Sequence, residues 1–192
     1  MAERQPQSFR MPKWHHWSAR PGEMIFVADR GAARFNYPKP WVMKFQESGS
    51  IQFRDRPEPD DDALLEISVM HLNPEAPVLW SELPLGDFLM RIHFENDKRG
   101  LKPGETVTAE RPNLDLAWVE STFIDSNENR PACDRALFAY NNFVMTYITM
   151  VFWEDHRDRF APVWDRMLET LHVGEPVTLR GPSRKERRAS KR

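Results

Sequence analysis

Histidines that sit beside carboxylates are the residues of this 192-residue chain best suited to moving protons. His93 has Asp97 one helical turn on, and His156 has Asp155 and Asp158 as near neighbours. A catalytic triad asks for more, namely a nucleophile held by the histidine and an acid that orients the ring. The sequence offers only local acid–histidine pairs. Glycine-framed serine, Walker and dinucleotide-binding patterns are missing from it. Glu66 and Glu120 could meet across strands, but exposed acids on strands are common. We therefore expect no catalytic residues. The alternative is a small-ligand site, or that of an uncharacterised enzyme, between sheet and helix, lined by some of the tryptophans.

Metal chemistry finds no better footing. Trp14-His15-His16-Trp17 places two imidazoles side by side, yet a tetrahedral site needs three or four ligands, and adjacent side chains of an extended chain point apart. The two tryptophans are expected to dock this arm onto the body or onto a partner. Asp60, Asp61 and Asp62 lie in the acidic stretch Pro57 to Asp62, but calcium loops space their ligands at alternate positions around a glycine bend. A solvated loop is the expectation there. Cys133 is the one cysteine, which excludes an internal disulfide, and its place on a predicted strand makes it a buried, inert thiol. No metal and no cofactor are expected.

Charge divides the chain. The net charge is −2, from 27 basic and 29 acidic residues. Seven of those basic residues and one acid fall in Arg180 to Arg192, so positions 1 to 179 carry a net −8. The end segment has no apolar residue beyond Ala189 and reads as a disordered tail. Its arginines, Arg184, Arg187 and Arg188 among them, could meet nucleic acid or an anionic surface, although no interleaved aromatics are present to stack on bases. Seven Trp, twelve Phe and nine Met supply a core, and the mean hydropathy is −0.66. No window approaches the roughly 20 apolar residues of a membrane span. The N-terminus has no charged-then-apolar leader pattern, so the expected location is the cytoplasm.

The elements that must position these residues are legible in the apolar pattern. Phe143 to Trp153 is uncharged, with both alternation sets apolar or aromatic, and so predicts a central strand buried on two faces. Asn141-Asn142 predicts a tight turn before it, setting Phe138 opposite Met145 and Ala136 opposite Tyr147. After Trp153, the spacing of Phe160, Val163, Trp164, Met167, Leu168 and Leu171 predicts a helix with one buried stripe, its regular part beginning near Pro162. Upstream, strands are predicted over 24–29, 34–37, 42–46, 51–56 and 63–72. A helix follows from Leu85 to about Lys98, with Leu85, Phe88, Leu89 and Ile92 inward and Met90 and Phe94 outward as an exposed patch. Gly100 to Asn113 reads as a loop, and Leu116 to Asp125 as a strand. The fold class is α/β (α+β). It is expected as a three-layer α/β/α sandwich with a mainly antiparallel central sheet and helices on both faces. Its parts are an arm over 1–22, one domain over 23–175 and the basic tail over 176–192.

That order of elements, with Phe35-Asn36-Tyr37-Pro38 followed by Trp41, the Ser48-Gly49 turn into Ile51 to Arg56, and a final three-strand meander running into an amphipathic helix, resembles the PsbP-like superfamily. The resemblance covers roughly Met24 to Val173. It implies a sandwich that acts without chemistry, as a docking, adaptor or chaperone-like module. The expected contact surface is Trp14 and Trp17 on the arm and Met90 and Phe94 on the first helix, with Arg184, Arg187 and Arg188 adding long-range attraction to a protein partner.

Overall fold

The computed structural model describes residues 17–73, 83–95, 97–141 and 143–176. Its strands are β1 Glu23–Ala28, β2 Ala33–Pro38, β3 Val42–Phe45, β4 Ile51–Arg54, β5 Ala63–His71, β6 Lys102–Arg111, β7 Leu114–Asp125, β8 Arg130–Asn141, β9 Val144–Trp153 and β10 His172–Val173. Two α-helices, α1 Leu85–Phe94 and α2 Arg157–Thr170, complete it, with a 3-10 turn at Glu154–His156. β3 to β9 make a seven-stranded antiparallel sheet in the order β3-β4-β5-β9-β8-β7-β6, and β1, β2 and β10 make a separate three-stranded sheet. The fold is thus α+β and mainly antiparallel. The sandwich expectation pictured one sheet, and the second one is a correction: β1 and β2 leave the main sheet to cover one of its faces.

β8 and β9 sit in the interior of the large sheet because both of their faces are apolar. Along β8, Ala136, Phe138 and Tyr140 join Leu89 of α1, Ala117, Val119 and Met145 in one cluster. Cys133, Leu137 and Ala139, on the other face, join Phe160, Trp164 and Met167 of α2. That second cluster extends into the small sheet. Phe26, Phe35 and Phe53 meet there with ring centroids 5.0 to 5.6 Å apart, and the Phe26–Phe53 pair adopts the edge-on geometry aromatic rings prefer.

Four local expectations are corrected. The β8–β9 hairpin pairs Asn141 with Val144 and Phe138 with Tyr147, so its turn is centred one residue later than Asn141-Asn142. Partners change by two positions, and every residue keeps its face. Asn141 is held in the strand because its side-chain amide donates to the Val173 carbonyl at 2.7 Å. The regular helix α2 begins at Arg157, five residues before Pro162. Pro162 cannot donate to Asp158, and Asp158 is exposed, so its carbonyl can turn to water. Gly100 to Asn113 is not a loop but chiefly the edge strand β6, whose ladder is interrupted between Pro103 and Thr106. A side chain at Gly104 would come 2.9 Å from the Glu120 carbonyl, so only glycine allows that approach, and Pro103 is tolerated because the strand is an edge. Finally α1 ends at Phe94 rather than near Lys98, and its buried residues are Leu89 and His93.

Glu23 ties the start of the fold to its last helix. Its carboxylate accepts from Arg166 at 2.7 and 3.0 Å, from the Arg20 amide at 2.9 Å and from Asn36 at 3.0 Å. The Arg166 hydrogen bonds hold its pKa at about 2, against an ordinary 4.5. The folded state therefore keeps this group ionised at pH values where the unfolded chain has protonated it. Its contribution is complete above 4.5 and is lost as pH falls toward about 2. Glu23→Gln should lower urea-measured stability at neutral pH by about 1–3 kcal/mol, and flatten the acid limb of the wild-type curve in that window. An unchanged limb would remove the tie.

Candidate functional site

Helix α1 is fixed to the sheet by buried polar groups as well as by packing. His93 of α1 places Nδ1 2.7 Å from the Tyr147 hydroxyl of β9 and Nε2 3.6 Å from Asp134 of β8. The other oxygen of Asp134 lies 2.6 Å from Arg99, which also pairs with Asp97 at 2.6 Å. Ser121 of β7 stands directly across the ladder from Asp134. Burial pushes the His93 pKa down and the Asp134 pKa up, and pushes Tyr147 up, the Asp134 charge adding to that last shift. The imidazole is therefore held neutral.

Acid, imidazole and hydroxyl in series have the order of a triad. Here, however, the hydroxyl is a phenol made harder to ionise, and the His93 and Asp134 side chains are only 4% and 1% exposed. The pocket described below does not include them. The cluster can orient and restrain α1; it offers no reacting atom to a substrate.

The local pairs expected from sequence are replaced by distant ones. His93 faces Asp134 as well as lying near Asp97, whose hydrogen bonds go to Arg99. His156 lies 3.5 Å from Asp62, while Asp155 takes Arg130 at 2.6 Å. Glu66 and Glu120 cannot meet, because Glu66 shares its face with Thr149 and Ala136, whereas Glu120 shares the opposite one with Arg135 and Met150. Glu120 accepts from Arg135 at 2.7 Å and also from Arg157 of α2.

The acidic stretch is exposed over Pro57 to Asp60, as a solvated loop would be, and its last two acids are braced. Asp61 pairs with Arg54 at 2.5 Å, and Asp62 with Arg56 and with Arg159 at 3.2 Å. Among the described residues no group of three or more histidines, cysteines or acids could hold a metal ion.

Cys133 is fully buried, with an Arg157 guanidinium nitrogen 3.0 Å from its sulfur and a pKa raised by burial. It should stay unmodified by a disulfide-exchange reagent such as Ellman's in the native chain and react with one equivalent only in denaturant. Fast native labelling would contradict that burial.

The expected contact residues fall differently from their expected places. Trp17 lies under Arg34, 4.1 Å from guanidinium carbon to ring centroid, and the Ser18 carbonyl accepts from Asn36 at 2.9 Å. The end of the arm is therefore docked on β2. Met90 and Phe94 are corrected from outward-facing to half-buried against the Leu89 cluster. The apolar side chain of α1 that faces water is Ile92, 45% exposed. Trp14, His15, His16, Arg184, Arg187 and Arg188 lie outside the described residues.

An open site does lie between sheet and helix, but no tryptophan lines it. Near the start of α1 a pocket of about 510 Å³ is lined by Leu83, Leu85, Thr108, Glu110, Asp115 and Tyr140. Its floor belongs to a row that crosses the sheet in direct register: Met70, Met145, Tyr140, Asp115, Glu110. Exposed Met70 ends that row, and Phe143, 62% exposed, lies at the adjoining turn. The signal was present in the sequence. A turn at Pro112-Asn113 sets Glu110 against Asp115, but only once residues 102–111 are recognised as a strand.

A main antiparallel sheet backed by a smaller one, with α1 packed on one face and α2 on the other, defines a fold of the PsbP type. The chain belongs to the Alr1449 family, whose model matches residues 24–177. The uncharacterised protein alr1449 of Nostoc sp. is 35% identical over 170 residues, covering 88% of this chain and 85% of its own. Cyanobacterial PsbP from Synechocystis sp. superposes with a TM-score of 0.61 at 14% identity, over 81% of this chain and 94% of that one. A protein of Bacteroides thetaiotaomicron gives a TM-score of 0.53 at 14% identity, over 80% of this chain and 49% of its own. At such identities the likeness carries the fold alone. No helix among the described residues is long and apolar enough to cross a membrane.

Proposed function

We propose that this chain is a non-enzymatic protein-docking module, adaptor or chaperone-like, that receives its partner on the α1 side. The observation that carries this reading is the contrast between a sealed histidine cluster and an open surface beside it. That surface combines exposed Phe143, Met70 and Ile92 with acids of the β6–β7 edge. Exposed large apolar residues on one side of a fold can mark an interaction surface. Met90 and Phe94 flank Ile92 and would join the contact on small movements of α1, and Trp14 of the arm is a further candidate. Arg184, Arg187 and Arg188 would add salt-sensitive attraction. The proposed setting is the cytoplasm, which the lone thiol fits.

Affinity capture from the source cells tests this, with the full chain beside a chain ending at Leu179 and a Phe143→Ser variant. A protein recovered by both lengths and lost on Phe143→Ser would support docking by the folded body. Nucleic acid recovered only with the full chain would move the function to the tail. The pocket volume also favours a second reading, since it lies in the range of small-ligand sites. A metabolite that raised the melting temperature while no protein was captured would favour that one.

A further inference from the structure

We infer that the two end segments of the chain form one binding surface for single-stranded nucleic acid, gathered at Arg34 of β2. This goes beyond the docking reading and does not depend on it. Trp17 covers Arg34, 4.1 Å from guanidinium carbon to ring centroid, and Glu175 accepts from the same guanidinium at 3.1 Å. The described chain begins at Trp17 and runs to Pro176. Residues 1–16 and residues 177–192 therefore join the fold side by side.

Charge divides along the same line. Residues 1–16 and 177–192 hold ten of the 27 basic residues and two of the 29 acids, so together they carry +8 and residues 17–176 carry −10. A polyanion is repelled by the body and attracted to one place on it. The Gly174 amide donates to the Ala32 carbonyl at 2.9 Å, which sets the β1–β2 turn beside that place and adds exposed Arg30 to it. Of the acids there, Glu175 is held by Arg34 and His172, and Asp29 lies 3.5 Å from His71.

The two segments supply different halves of the chemistry. Residues 180–192 hold Arg180, Arg184, Arg187, Arg188 and Arg192 but no aromatic residue. Their planar guanidinium forks match phosphate oxygens two at a time. Residues 1–16 add Phe9 and Trp14, rings on which unpaired bases can stack. A cationic track with stacking rings is the makeup of sequence-tolerant single-strand binding. A duplex keeps its bases stacked on one another and would meet the charges alone. A bilayer would have to bury apolar groups, and the 180–192 stretch offers it only Ala189. At about 3.3 Å per extended residue, each segment is long enough to follow several nucleotides.

A fluorescein-labelled oligothymidine of about 20 nucleotides, longer than a typical single-strand site, should be titrated by anisotropy over a range of salt concentrations. The full chain should bind one oligomer, with log affinity falling against log salt at a slope of about −3, the value for about four phosphates neutralised on a single strand. A chain ending at Leu179 should bind at least about tenfold more weakly. Phe9→Ala/Trp14→Ala keeps every charge and alters no residue of the described body. It should weaken binding of the single strand about tenfold and leave binding of a duplex of the same length unchanged.

No binding at low salt, or binding that salt does not weaken, would overturn the proposal. So would full affinity in the chain ending at Leu179, full single-strand affinity in Phe9→Ala/Trp14→Ala, or two oligomers bound per chain. Tighter binding to vesicles of phosphatidylserine and phosphatidylcholine than to the oligomer would assign the end segments to a membrane and overturn it as well.

Discussion

Trp164→Ala should cost about 3–5 kcal/mol in urea denaturation, the range for emptying a large aromatic site in a core. Trp164 is fully buried on α2. Its ring lies 6.0 Å from that of Trp118 and 6.0 Å from the Arg135 guanidinium carbon, which is also 5.6 Å from both Trp118 and Phe152. Arg135 is 7% exposed and neutralised by Glu120 at 2.7 Å. An arginine so placed depends on its rings to fill the space around it, so removing Trp164 both opens a cavity and loosens a charge pair. Trp164→Phe separates the two effects. It keeps most of the apolar contact and removes an indole N–H that is buried without an acceptor among the described residues. Leaving such a donor unpaired costs about 1–3 kcal/mol, so this change offsets part of its own cavity, and its net cost should be below about 1.5 kcal/mol. A cost below 1 kcal/mol for Trp164→Ala would mean that α2 is not the second wall of the core.

What the sequence made legible follows from how local each signal is. The stripe of Phe160, Val163, Trp164, Met167, Leu168 and Leu171 predicts the buried face of α2 because helical periodicity is read within one segment; four of the six are buried, and Val163 and Leu168 are half-buried at its margin. The two-sided apolar run of β9 predicts an interior strand for the same reason, and β9 lies between β5 and β8. β6 was hidden because an edge strand with mostly exposed residues has no apolar alternation to show. Its prolines and glycines, read as loop punctuation, instead mark the bulge at Gly104 and the turn after Arg111. α1 was turned by about one position because its inward face carries a polar residue. His93 is buried where Ile92 was expected, and hydropathy cannot foresee a histidine whose Nδ1 meets the hydroxyl of Tyr147, 54 residues away. The acidic pocket depends on β6, and so was lost with it.

Asp134→Ala is the second large expectation, and it bears on whether the histidine cluster is a restraint or a catalyst. Asp134 is 1% exposed in its side chain, between His93 at 3.6 Å and Arg99 at 2.6 Å. Removing one partner of a buried pair leaves the others uncompensated, at about 3–5 kcal/mol. Asp134→Asn keeps the volume and an oxygen for Arg99, so it should recover more than half of that loss. A catalytic carboxylate would show the opposite sensitivity, with stability spared and function lost on amidation.

The pH dependence gives an independent reading of the same cluster. Burial lowers the His93 pKa below its ordinary 6.5, so as pH falls through that value the unfolded chain takes up a proton that the folded chain resists. Unfolding then binds protons, and stability must drop as pH falls below about 6.5. Asp134, whose pKa is raised by burial, acts in the other direction at lower pH, because its protonated form is the one the fold prefers. The His93 loss should therefore be steepest just below 6.5 and ease further down. His93→Gln, which keeps a hydrogen-bonding side chain but cannot titrate, should abolish the slope between pH 7.5 and 5.5 in urea titrations, while leaving the Glu23 limb at lower pH in place. If wild type and His93→Gln showed the same slope, His93 would not be the neutral, buried link between α1 and the sheet. Helix α1 would then be held by the apolar packing of Leu85, Phe88, Leu89, Met90 and Phe94 without a polar link to the sheet.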